Sequence, residues 1–142
     1  MSQILTGNEA RESNALKFLL ESGRSYPYFK GYDNIEPNSI AAYTKGRIQE
    51  NLANKDSIIH ILLEAPSPIA GLITQKNAWL SDHFGFPIGE LIYLVTDCEN
   101  SKLLTQLLQA HLTTASKTFK LITTKLPTDE KKLIISAQQA GF

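Results

Sequence analysis

The sequence predicts an α/β (α+β) fold in which a mixed sheet of about four strands is flanked by about four helices. Three observations carry that prediction. Between Ser57 and Thr96, β-branched and other apolar residues gather in short runs divided by Pro, Gly and Ser. From Leu103 to Ala115 the apolar residues recur at helical spacing. A further apolar run, residues 119–126, follows that helix, and a helical crossover within one sheet makes the strands it joins parallel.

In chain order, Thr6 and Glu9 have the spacing of a capping box, so a first helix is expected through Ala15, Leu16, Leu19 and Leu20 to a stop at Ser22 and Gly23. A loop follows, with Pro27 and Pro37 as punctuation. The second helix begins near Ser39, carries Ile40, Tyr43, Ile48 and Leu52 on one stripe, and ends around Asn54. Residues 58–63 form the first strand, residues 65–68 a tight connection rich in proline, and residues 69–74 the return strand. The segment 79–87 links this hairpin to a third strand, 88–96. Asp97, Asn100 or Ser101 can cap the next helix, expected over 101–117. After the fourth strand, Pro127, Thr128 and Asp129 open a last helix bearing Leu133, Ile134 and Ala137, and Gly141 sits where a left-handed C-terminal residue belongs.

Composition bounds what this chain does. Its 142 residues are 42% hydrophobic and 20% charged, enough for one core without staples, and the whole reads as one domain. No apolar run approaches the ~18 residues of a membrane span, and the N-terminus lacks the basic, apolar and small-residue pattern of a secretory signal. Membrane partners are not expected. Cys98 is the single cysteine, which suits a reducing cytoplasm. Lys plus Arg and Asp plus Glu number 14 each, so no global field draws phosphate backbones, and nucleic acid is not an expected partner.

The order helix, helix, strand, strand, strand, helix, strand, helix resembles the core of the GNAT superfamily of N-acetyltransferases. The text SIIHILLEAPSPIAGLIT resembles that family's strand, turn and apolar-Gly-apolar return, and AQQAGF resembles its helix-ending Gly-Phe. A narrower segment, Trp79-Leu80-Ser81-Asp82-His83-Phe84-Gly85, is similar to the W-x-S-x-x-F-G stretch of the amino-terminal partial GNAT domain in TDP-fucosamine acetyltransferase-like proteins. The plainer reading is that Trp79, Phe84 and Phe86 close a long hairpin by packing on the sheet. The resemblance implies an incomplete GNAT-like fold, residues 1–142 being one domain and the amino-terminal part of a larger acetyltransferase.

It also implies where chemistry would sit. A GNAT enzyme grips the acetyl-CoA pyrophosphate with backbone N–H groups of a Q/R-x-x-G-x-G/A loop at a helix N-terminus. The corresponding positions are Leu94, Val95 and Thr96 at the end of the third strand and Ser101 and Lys102 at the start of the helix, with no glycine between them. Asp97 and Glu99 add negative charge opposed only by Lys102, which argues against phosphate binding. The family's general-acid Tyr falls on Ala137. Glu90 opens the central strand where a base would deprotonate an acceptor amine, and is otherwise a strand-end carboxylate. Tyr26, Tyr28, Phe29 and Tyr32 are the substrate-wall residues, able either to stack a planar acceptor or to pack under the sheet. Cys98, beside a helix N-terminus, is either activated or an inert half-buried thiol. His60, His83 and His111 show no ligand spacing, so no metal is expected.

Three functions stay open. The first is a noncatalytic GNAT-like module that contributes to an acceptor site or interface. The second is a self-sufficient, divergent acetyl-CoA-dependent N-acetyltransferase. The third is a small-molecule binding module with no acyl donor, so the cofactor is acetyl-CoA if the chain is active and otherwise none. The fourth strand, Lys120-Leu121-Ile122-Thr123-Thr124-Lys125-Leu126, is left as an edge, and β-prone edges template pairing. A homodimer, or docking on a C-terminal acetyltransferase domain, is the expected use of it.

Overall fold

The computed structural model describes residues 1–15, 34–126, 128 and 130–142, apart from the side chains of Pro37, Ile40, Ala41, Thr44, Tyr93, Leu94 and Val95. Among the described residues the elements are β1 (Ser2–Thr6), α1 (Gly7–Glu12), α2 (Pro37–Ala53), β2 (Ile58–Glu64), β3 (Ser67–Lys76), α3 (Ala78–Phe84), β4 (Ile88–Thr96), α4 (Ser101–Ala115), β5 (Leu121–Thr124) and α5 (Lys131–Ala140). The five strands form one sheet in chain order, β1-β2-β3-β4-β5. Every neighbouring pair is antiparallel except β4 and β5, which the α4 crossover makes parallel.

Alternation along the strands loads both faces. Ile59 and Ile61 join Leu5, Ala10, Ile48 and Ile73 in a core on the α1 and α2 side. Leu62, Leu72 and Leu91 join Leu104, Leu107, Leu108, Leu133 and Ala137 on the α4 and α5 side. β2 is therefore apolar on both faces, which is why its sequence reads as a continuous run. The α4 stripe buries Leu104, Leu107, Leu108, His111 and Ala115.

Several boundaries differ from the sequence reading. Ser2–Thr6 is a strand, and Thr6, the expected capping-box residue, makes no side-chain cap bond to α1. Pairing with β2 from Ser2↔Glu64 to Thr6↔His60 overrides the local cap. The expected continuation of the first helix through Leu16, Leu19 and Leu20 to Ser22 and Gly23 lies outside the described residues. Tyr43, assigned to the apolar stripe of α2, is 60% exposed. The linker 79–87 contains a two-turn helix, α3, capped by Asn77, whose side chain accepts from the Leu80 N–H, and closed by Gly85 at φ 72°. β5 is shorter than expected, because Phe119 leaves the strand and packs on Gly89, where an added Cβ would meet the Phe119 ring at 2.6 Å.

The first two elements are tied down by Arg11. Its guanidinium donates to the carbonyl oxygens of Leu52 (3.1 Å), Asn54 (2.7 Å), Lys55 (3.2 Å) and Ser57, which lie where α2 ends and β2 begins. Terminal helix carbonyls have no intrahelical donors, and a rigid cationic fork answers several at once.

Candidate active site

The central strand β4 loses one of its two partners part-way. Its parallel ladder with β5 runs from Ile88↔Leu121 to Leu91↔Thr124, while β4 itself continues to Thr96. On the other side, Thr74 pairs with Leu91 but Ile73 pairs with Tyr93, so Ile92 is the extra residue of a β-bulge. The bulge and the end of the β5 ladder coincide, so beyond Ile92 β4 is paired only with β3 on its way to α4. The parallel pairing expected of the two strands joined by the helix is observed.

Glu90 stands just ahead of the bulge, half-buried, on the sheet face of Ile92 and the α1 and α2 core. Asn77 Nδ2 donates to its Oε2 at 2.9 Å, and the same Asn77 caps α3. The carboxylate is thus oriented by an element that the sequence reading left as a linker. Trp79 and Phe84 do not close the hairpin as expected, being 73% and 56% exposed, while Phe86 is half-buried. Trp79 stacks instead on His83, with centroids 5.6 Å apart and planes 5° from parallel.

The positions assigned to acetyl-CoA gather at the other end of β4. Leu94 and Val95 lie on the strand backbone opposite Leu72 and Gly71, and their side chains lie outside the described residues. Thr96 Oγ1 accepts from the Cys98 N–H at 2.9 Å. Ser101 and Lys102 form the exposed first turn of α4. Asn100 caps that turn: its Oδ1 accepts from the N–H groups of Lys102 (3.1 Å) and Leu103 (3.3 Å), while its carbonyl takes that of Leu104 (3.1 Å). A pyrophosphate cradle needs such N–H groups converging on open space. The Asn100 amide holds two of them.

Charge at this end also differs from expectation. Glu99 is opposed not by Lys102 alone but by Lys132 of α5, whose Nζ donates to Glu99 Oε2 at 2.6 Å. That hydrogen bond lowers the Glu99 pKa and raises that of Lys132. Burial pushes the Cys98 thiol up rather than down, so the helix N-terminus does not activate it. Ala137 is buried among the leucines of α4 and α5, so no acidic side chain stands there. Tyr26, Tyr28, Phe29 and Tyr32 lie outside the described residues.

The sequence reading missed one cluster outright. His60 and His111, judged scattered, meet across β2 and α4, Nδ1 to Nδ1 at 2.8 Å, and Thr74 completes the group at 2.6 Å from His111 Nε2. His111 falls on the α4 stripe with Leu104, Leu107, Leu108 and Ala115, a spacing that could have disclosed it. Among the described residues, no three His, Cys, Asp or Glu side chains group to hold a metal ion.

No protein-family model matches the sequence, and no curated protein does. Solved structures do match its fold. An aminoglycoside 6'-N-acetyltransferase from Acinetobacter haemolyticus aligns with TM-score 0.63 at 16% identity, over 99% of this chain and 90% of its own. An aminoglycoside acetyltransferase from an uncultured soil metagenomic sample, crystallised with sisomicin, aligns with TM-score 0.62 at 15% identity, over 100% and 87%. The fold is that of the GNAT acetyltransferases. A transcriptional regulator from Bacillus halodurans C-125, with TM-score 0.68 at 12% identity over 100% and 93%, has a similar fold. GNAT likeness here is therefore likeness of architecture. Among the described residues no helix is long and apolar enough to cross a membrane.

Proposed function

We propose that this chain is a noncatalytic GNAT-fold domain that shapes an acceptor site or an interface, as a homodimer or against a C-terminal acetyltransferase domain. The carrying observation is the closed N-terminus of α4. Asn100 Oδ1 occupies the Lys102 and Leu103 N–H groups. Those residues do not fit a pyrophosphate, so no catalytic step is assigned through acetyl-CoA. The partial GNAT domain of TDP-fucosamine acetyltransferase-like proteins supplies the context for such a module, and one cysteine in 142 residues suits a cytoplasmic setting.

Titration calorimetry with acetyl-CoA at low salt tests this reading. Affinity weaker than about 100 µM is expected, and low-micromolar binding would overturn it. The second reading, a divergent acetyl-CoA-dependent N-acetyltransferase, is favoured by Glu90, a carboxylate held by Asn77 beside the bulge of the central strand. On that reading Glu90→Gln abolishes transfer to an amine while leaving acetyl-CoA binding intact.

A further inference from the structure

His60 and His111 take no part in the reading above, and both are buried where α4 meets β2. His60 is 1% exposed, and His111 and Thr74 are 0% exposed. A neutral imidazole carries one N–H, so where Nδ1 faces Nδ1 one ring must donate and the other accept. Neighbouring bonds decide which. Thr114 Oγ1 donates its proton to the Ala110 carbonyl at 3.2 Å, so toward His60 Nε2, at 3.4 Å, it acts as the acceptor. His60 therefore bears its proton on Nε2 and presents a bare Nδ1. His111 donates from Nδ1, and its bare Nε2 accepts the hydroxyl proton of Thr74. The hydrogen bonds run one way, from Thr74 through His111 and His60 to Thr114.

We propose that this chain of bonds is an acid-sensitive latch, which seats α4 on β2 and β3 while both rings are neutral and releases it as protons arrive. A first proton, whichever ring bears it, turns His111 Nε2 into a donor and obliges the Thr74 hydroxyl to turn round. A second sets one Nδ1–H against the other across 2.8 Å. Among the described residues no neighbouring charge offsets this, Lys131 and Lys132 of α5 being exposed. β1 carries none, Glu64 and Lys76 are exposed at the ends of β2 and β3, Lys102 is exposed in the first turn of α4, and Glu90 of β4 is bonded to Asn77 on the opposite face.

Burial holds His60 down to about 4, and burial together with the His60 charge holds His111 down to about 3. An opened α4 frees both rings to titrate near their ordinary value of about 6.5. Below that pH the open state binds more protons than the seated one. The latch is at full strength above about pH 6.5 and weakens as pH falls toward 4.

Two measurements on the full chain test the latch. Long-range nitrogen–proton correlation spectra at pH 7 should show His60 as the Nε2–H tautomer and His111 as the Nδ1–H tautomer. Hydrogen exchange of the buried α4 amides, corrected for intrinsic rates, should report an opening equilibrium that steepens toward about 100-fold per pH unit between about pH 6 and 4.5. His111→Gln, which keeps a donor and an acceptor but titrates no proton, should cut that slope to about tenfold. Matching tautomers in the two rings, a charged ring at pH 6, or a slope unchanged in His111→Gln would each overturn the proposal. The spectra need no variant, so they decide the matter even where the substitution prevents folding.

Discussion

Arg11 shows how much a single side chain can organise. Four carbonyls at the α2 to β2 corner depend on it, two held from each terminal nitrogen. Arg11→Ala should lower stability by about 2 kcal/mol in urea unfolding, and Arg11→Lys should recover less than half, because an ammonium cannot span the fork's reach. A loss under about 0.5 kcal/mol would mean that water replaces the guanidinium freely. Gly89 acts at the same scale through what it lacks. With the Phe119 ring 2.6 Å from a would-be Cβ, Gly89→Ala should cost about 1–3 kcal/mol, and Phe119→Leu in the same chain should return part of that loss. Additive losses in that double-mutant cycle would refute the contact as the cause.

At the scale of elements, the legible parts were those whose pattern is long. β4 was read with its observed bounds, and α4 with Asn100 as one of three possible caps, because nine and fifteen residues give periodicity room to repeat. β1 and α3 were not. β1 has five residues with Ile4 and Leu5 side by side, so no alternation shows, and its strand character comes from β2. α3 spans two turns, and only its termini, Asn77 and Gly85, carried a signal. Glu90 and the missing glycine loop could be named as candidates from the sequence, whereas the bond to Glu90 comes from Asn77, the cap of the missed helix. The meeting of His60 and His111 depends on register across the sheet, which local sequence does not encode. The Asn100 cap yields its own test. Asn100→Ala should cost about 1 kcal/mol. An unchanged melting midpoint would show that the cap is idle.

For the whole molecule, β5 stands at one margin of the sheet, with Leu121 47% exposed, and that margin is where a partner strand would add. If β5 pairs between copies, Thr123→Pro should shift the chain from dimer to monomer in light scattering, because proline removes a ladder donor. A parent chain that is monomeric at high concentration removes this use of the edge. The opposite margin is governed by a different fact, that the strands lie side by side in the order in which they occur along the chain. β2 and β3 meet across the two residues Ala65 and Pro66, so their pairing closes a small loop early. β1 joins only when Ser2 reaches Glu64 and Thr6 reaches His60, enclosing α1, α2 and everything between them. Loop-closure entropy therefore makes β1 the last strand to arrive during folding. In a pulse-labelling experiment the amides of β2 and β3 should gain protection before those of β1, and the β1 strand should be the first to leave when the protein begins to unfold.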